Sequence, residues 1–263
     1  MTSTYKNISV HYTVSGKGRS VVLLHGFLEN LGMWVEIAKV LSLKYKVICI
    51  DLLGHGKTES IGYIHTMEDQ AKMVKFILNE QKIRKSVFIG HSMGGYVALA
   101  FAELFPKNVK GLCLLNSTPA PDDEEKRKNR DRAVIAVKKQ HTNFVKLAIP
   151  NLFSEENRHR LKKQIDAVTE EALKTSVQGI AAALEGMKIR EDRTKFLHQS
   201  DFPILVVISK NDPAIDVYHL EKLVRASKAQ NLILWDGHMS HIENTQEVLH
   251  GLSKFCKEVY KSQ

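Results

Sequence analysis

At 263 residues, 43% hydrophobic and 25% charged, the chain has the size and make-up of one large globular domain with a substantial core. No apolar run reaches the roughly 18–20 residues of a membrane span, and the opening "MTSTYKNISVHYTVSG" lacks the basic-then-apolar order of a secretory leader, so a cytoplasmic protein is expected. The formal charge of +9 is spread over segments that also carry acids, such as "PDDEEKRKNRDR"; this argues against nucleic acid or a membrane as partner and suits an anionic small-molecule substrate.

Short apolar runs recur along the chain. They are "SVVLL" (20–24), "KVICI" (46–50), "SVFIG" (86–90), "GLCLL" (111–115), "ILVVI" (204–208) and "NLILW" (231–235). Each is nearly continuous in apolar residues, the pattern of strands buried on both faces of a parallel sheet. Helical patterns separate them. Thr66 and Asp69 form a capping-box arrangement ahead of Ala71, Val74, Ile77 and Leu78, which share one helical face. Val248, Leu249, Leu252, Phe255 and Cys256 do the same near the end. The alternation predicts a doubly wound α/β sheet. From 118 to 200 no strand pattern occurs, only helical stretches broken by Pro119, Pro121, Pro150 and Gly186. That block is expected to be a helical cap, with residues 1–117 and 201–263 as the core. Its apolar residues Phe144, Leu147, Phe153, Leu184 and Met187, like the two tryptophans, are expected in the interior.

The chemistry concentrates at strand ends. "GHSMGG" places Ser92 between Gly90 and Gly94, after a strand and before a helix. This is the nucleophile-elbow pattern, in which a strained serine projects its hydroxyl and the flanking glycines remove colliding side chains. Serine needs a base, and the base needs a carboxylate to orient it. In a parallel sheet both should follow later strands. Asp212 and Asp216 follow "ILVVI", and His238 and His241 follow "NLILW". The order Ser92, Asp212, His238 fits the arrangement, with Asp216 read as a helix cap. The oxyanion is expected on the backbone amides of Met93, after the nucleophile, and Phe27, in the loop after the first parallel strand. His25, His55 and His91 lack zinc-ligand spacing, and Cys49 and Cys113 sit in strand patterns as buried thiols, so no metal is expected. The Gly-Lys-Thr of "DLLGHGKT" lacks the first glycine of a phosphate loop.

In "LLHGF" (23–27), "DLLGHGKT" (51–58), "GHSMGG" (90–95), "PILVVISKNDP" (203–213) and "DGHMSHIE" (236–243) the sequence resembles the capped alpha/beta-hydrolases. The resemblance implies an eight-stranded, mostly parallel sheet, a Ser-Asp-His triad and no cofactor. It points to His238, directly after glycine, as the base, leaving His241 a packing or hydrogen-bonding role near the start of a helix. Ser209 departs from the glycine usual there. Three functions compete. One is a serine hydrolase cleaving a small ester, thioester or lactone through an acyl-enzyme on Ser92. Another is a carbon–carbon bond hydrolase or a lyase of the menaquinone-pathway type, which would want Arg127, Arg130 or Lys188 turned to substrate carboxylates. The last is a ligand-binding receptor with weak hydrolase activity.

Overall fold

The computed structural model describes residues 1–261. The chain begins with a hairpin. β1 (Thr2–Tyr5) pairs antiparallel with β2 (Ile8–Ser15), and Tyr5 faces Ile8 across Lys6 and Asn7. Both turn residues have positive φ, 47° and 67°, the mirror-image turn whose twist matches that of its strands. β2 also pairs antiparallel with β4 (Lys46–Ile50). From there the sheet is parallel: β4 joins β3 (Ser20–Leu24), then come β5 (Ser86–His91), β6 (Val109–Leu115), β7 (Ile204–Ser209) and β8 (Gln230–Leu234). The full order is β1-β2-β4-β3-β5-β6-β7-β8. The six apolar runs thus correspond to β3 through β8, with β5, β6 and β7 slightly longer than read and β8 starting and ending one residue sooner.

Alternate residues of the six parallel strands enter two separate cores. Val21, Leu23, Val47 and Ile89 pack with Trp34, with Ile37 and Leu41 of α1 (Val35–Leu41), and with Val248, Leu252 and Phe255 of α11 (Thr245–Lys261). On the opposite face Val22, Leu24, Ile48 and Phe88 pack with three helices: α2 (Met67–Glu80), α3 (Met93–Leu104) and α9 (Val217–Arg225). Burial on both faces explains the unbroken apolar runs. Thr66 caps α2 by accepting from the Asp69 amide at 3.0 Å, and Asp216 caps α9 by accepting from the His219 amide at 3.0 Å.

Between β6 and β7 the chain is helical throughout: α4 (Glu124–Ala148), α5 (Glu155–Arg158), α6 (Lys162–Ala172), α7 (Val177–Lys188) and α8 (Phe196–Gln199). α4 breaks at Gln140, whose φ of −147° is not helical. Phe153, Leu184 and Met187 are buried, but Leu147 is exposed, contrary to the expectation from its apolar character. The tryptophans also part company. Trp34 is 0% exposed under the sheet, whereas Trp235 is 71% exposed, because it follows β8, the edge strand, where no further strand covers it. Among the described residues no helix is long and apolar enough to cross a membrane.

Candidate active site

β5 ends at His91 and α3 begins at Met93, leaving Ser92 as the corner between them. Its backbone has φ 48° and ψ −115°, a region that is costly for a residue with a side chain. The neighbours hold it there. The Ser92 amide donates to Leu115 O at 3.0 Å, and Ser92 O accepts from Ser117 Oγ at 2.7 Å and the Gly95 amide at 2.9 Å. The corner is tight enough to require glycine on both sides. A Cβ on Gly90 would lie 2.3 Å from Gly94 O, and one on Gly94 would lie 2.2 Å from Leu24 O.

Asp212 lies in the loop after β7 and His238 in the loop after β8, and the two are buried together. His238 Nδ1 is 2.8 and 2.9 Å from the two Asp212 oxygens. Asp212 also accepts from the amides of Ala214 (2.8 Å) and Ile215 (3.2 Å) and from Asn116 Nδ2 (3.1 Å). Burial pushes the Asp212 carboxyl up, but the His238 ring and these donors outweigh it, and its pKa ends below the usual value. With Asp212 ionised, His238 carries its proton on Nδ1 and leaves Nε2 to take one. His238 O accepts from His91 Nε2 at 3.0 Å, and the two rings lie 5.0 Å apart, tilted 48° to one another. The histidine loop is therefore fastened to the residue just before Ser92.

The loop after β3 approaches the same corner. A Cβ on Gly26 would sit 3.2 Å from Ser92 Cβ. Among the described residues neither the Phe27 amide nor the Met93 amide has a backbone acceptor. Met93 opens α3, so its amide lies at the positive end of a helix dipole.

Comparison with known proteins follows the same lines. The sequence model of the alpha/beta hydrolase fold matches residues 19–245. The chain belongs to that family. An esterase structure from Thermogutta terrifontis shares 29% identity over 98% of this chain and 97% of its own, with a TM-score of 0.91. A putative 2-succinyl-6-hydroxy-2,4-cyclohexadiene-1-carboxylate synthase of Bacillus subtilis is 26% identical over 95% of this chain and 96% of its own length. The dihydrolipoyllysine-residue acetyltransferase component of the Pseudomonas putida acetoin cleaving system is 28% identical over 92% of this chain. This chain spans 64% of the length of that protein, and 31% of three mycobacterial relatives.

In this alpha/beta hydrolase, residues that no motif flagged hold the loops together. Asn116, just past β6, has φ 46°. Its amide nitrogen reaches Ser209 Oγ (2.8 Å), Asp212 Oδ2 (3.1 Å) and Gly237 O (3.4 Å), and its oxygen accepts from Ser240 Oγ. Ser209, the departure from glycine, thus joins the same network. A hydrogen bond to a charged group contributes about 1.5–3 kcal/mol, so Asn116→Ala should lose stability of that order in urea unfolding. Asn116→Asp, which sets a second carboxylate beside Asp212, should lose more. An Asp variant as stable as the parent at pH 7 would contradict this account.

Glu29 is the other such residue. Its Oε2 accepts from the Gly26 amide and from His91 Nδ1, both at 2.7 Å. Burial raises the Glu29 pKa, but His91 dominates and takes it down to about 2. Burial also lowers His91, yet Glu29 prevails and raises it. His25 spans two further loops, donating from Nδ1 to Gly26 O at 2.8 Å and accepting the Leu52 amide on Nε2 at 2.9 Å. Burial lowers His25, takes His55 and His241 to about 3 and His65 to about 4. A histidine lowered in the folded state binds its proton more readily when unfolded. It therefore destabilises the fold below the ordinary value of 6.5, increasingly until its folded value is reached. The raised His91 adds no slope there, since both its states are protonated below 6.5. Stability should consequently fall between pH 6.5 and 4, by up to about 1.4 kcal/mol per pH unit for each such histidine. Below the ordinary 4.5 Glu29 adds to this, because the unfolded chain takes up its proton while the folded carboxylate stays charged down to about 2. Urea midpoints measured from pH 8 to 4 test it; a flat profile down to 4.5 would be inconsistent with buried neutral histidines.

Two of the contacts between the helical block and the core lie beside the site. α7 lies on the loop after β4, close enough that a Cβ on Gly179 would be 2.1 Å from Gly54 O and one on Gly186 1.8 Å from His65 O. The His65 amide also donates to Ala182 O at 2.9 Å. On the other side Glu243 accepts from the Ser154 amide (3.0 Å), Ser154 Oγ (2.9 Å) and Asn157 Nδ2 (2.9 Å), and the His238 amide donates to Leu152 O at 2.8 Å. Arg193 and Lys195 of the block reach Glu68 and Glu103 of the core, but the basic groups singled out for substrate carboxylates do not turn to the site. Arg130 and Arg190 pair with Asp122, Lys188 pairs with Asp131 and Glu185, and Arg127 is exposed.

Proposed function

We propose that the chain is a serine hydrolase that cleaves a small ester, thioester or lactone through an acyl-enzyme on Ser92. His238, oriented by Asp212, takes the Ser92 hydroxyl proton as the oxygen attacks the carbonyl carbon. The oxyanion is held by the amides of Phe27 and Met93. Protonated His238 returns the proton to the leaving group. Water, deprotonated by the same histidine, then releases the acid. The helices of residues 118–200 act as a cap over this centre and select the substrate, while residues 1–117 and 201–263 form the core.

The observation that carries this reading is the ionised Asp212 bound to His238 Nδ1, on a loop fastened to the strained corner that presents Ser92. The relation to the Thermogutta esterase over nearly the whole of both chains supports it. The test is intact-protein mass after exposure to a fluorophosphonate. A single adduct absent from Ser92→Ala is expected, and no adduct on folded protein would overturn the reading.

A carbon–carbon lyase or hydrolase using the same groups is favoured by the relation to the Bacillus synthase over nearly both full lengths. Against it, Arg130 and Lys188 are committed to Asp122, Asp131 and Glu185 rather than free to hold substrate carboxylates. Turnover of simple aryl and alkyl esters without any dicarboxylate requirement separates the two.

A further inference from the structure

Glu29, His91 and His241 come from three separate parts of the chain: the loop after β3, the end of β5, and the short helix α10 (Ser240–Glu243) that follows β8. All three are buried, and one donor atom from each lies within 4.8 Å of the others. Glu29 Oε1 stands 3.7 Å from His241 Nε2. That is too long for a hydrogen bond. It is close to the separation of two ligands that share one ion at about 2.0–2.2 Å each. Glu29 Oε1 has no hydrogen-bond partner although it is buried, an arrangement that costs free energy unless a ligand relieves it. Burial keeps His241 neutral, the form in which imidazole binds metals. The cluster also has an approach. A cavity of about 400 Å³ is bounded by Leu28, Glu29 and Asn30 on one side, Val168 of α6 on another, and His241. Ser92, Asp212 and His238 are not among its walls.

We propose that Glu29, His91 and His241 form a binding site for a divalent transition metal, Zn²⁺ by its ligand chemistry. Two imidazoles and one carboxylate suit zinc and its first-row neighbours, whereas calcium and magnesium require more oxygen ligands than are present. His91 binds through Nδ1 and releases to solvent the proton it shares with Glu29 Oε2. Glu29 ligates through Oε1 and keeps the Gly26 amide on Oε2. The fourth position faces the cavity, as in three-ligand zinc sites that retain a water. The ion would bridge the loop carrying Phe27, the residue before Ser92 and the segment after His238. Its occupancy would therefore stiffen all three at once.

The proposal does not depend on the acyl-transfer reading, because its test reads the metal and not turnover. The chain is titrated with Co²⁺ and followed by visible absorption, with Zn²⁺ calorimetry in parallel, for the parent, Glu29→Gln, His241→Ala and the surface control His250→Ala. Far-UV circular dichroism checks each fold. One equivalent of Co²⁺ is expected to give the intense bands of a four-coordinate ion, which Zn²⁺ abolishes. Zn²⁺ affinity should fall at least about tenfold in Glu29→Gln and in His241→Ala and be unchanged in His250→Ala. If one ligand variant fails to fold, the other carries the comparison. Absence of the bands at one equivalent overturns the proposal, as does affinity unaltered in the folded ligand variants or lost in His250→Ala.

Discussion

Ser92→Ala is expected to lower kcat on an activated ester by about three to six orders of magnitude, leaving only what binding and the oxyanion amides contribute. The size of the effect follows from the division of labour in the site. In the proposed acyl transfer His238 and Asp212 have no purpose without an oxygen to deprotonate, so removing that oxygen would silence all three groups together. The substitution is also structurally mild. Alanine retains the Cβ, so the backbone cost at φ 48° is the same for both residues. The hydrogen bonds that hold the corner run from the Ser92 backbone to Leu115, Ser117 and Gly95, and none uses the hydroxyl. Urea stability should therefore stay within about 0.5 kcal/mol of the parent. A folded Ser92→Ala protein that hydrolyses esters at an undiminished rate would place the reacting group elsewhere.

Gly94→Ala is expected to be severely disruptive, with a loss of at least about 3 kcal/mol in urea unfolding or failure to fold. The new methyl would meet Leu24 O at 2.2 Å, Leu24 C at 2.6 Å and His25 O at 2.7 Å. These are backbone atoms at the end of β3, a central strand hydrogen-bonded on both sides, and they cannot rotate away. Any accommodation must tilt α3 or push back the loop that carries Phe27. Survivors should thus show weakened ester turnover as well as lowered stability. Gly251→Ala in α11 offers a contrast. Its methyl meets Leu232 Cδ2 at 2.6 Å, the end of a flexible side chain, while helix propensity improves by about 1 kcal/mol. That variant should lie within about 1 kcal/mol of the parent. Equal stability of the two variants would mean the elbow is looser than its distances imply.

What could be read from the sequence divides along physical lines. β3 to β7 are legible because burial on both faces leaves an unbroken apolar run, whereas the edge strand β8 is exposed or half-buried at most positions and shows only through the short apolar stretch at its end. The N-terminal hairpin was not read from its residues. β1 and β2 are exposed or half-buried at most positions, and their turn is Lys-Asn, without the glycine that usually marks such a corner. For the site, Ser92, Asp212 and His238 could be picked out because each follows a strand at a recognisable distance. Asn116 follows a strand too, but an asparagine after "GLCLL" carries no chemical signature until Asp212 is seen beside it. Glu29 was invisible for a similar reason. It gains meaning from His91, 62 residues away in the chain. The exposure of Trp235 and Leu147 shows the converse, since hydrophobic character alone says nothing about whether a neighbour is present to cover it.

The bonds from Glu243 to Ser154 and Asn157, and from the His238 amide to Leu152, carry a lesson for anyone wishing to redesign substrate choice. Grafting another family member's segment into this scaffold is not a clean exchange of modules. A graft running through residues 152–157 cuts the ties that seat the histidine loop, and an incoming segment without hydrogen-bond donors facing Glu243 would leave a carboxylate stranded indoors. The workable seams lie on either side of that stretch. Recombination should keep residues 152–157 with residue 243 as a single inherited unit, and vary α4, α6 and the outer surface of α7 freely around it.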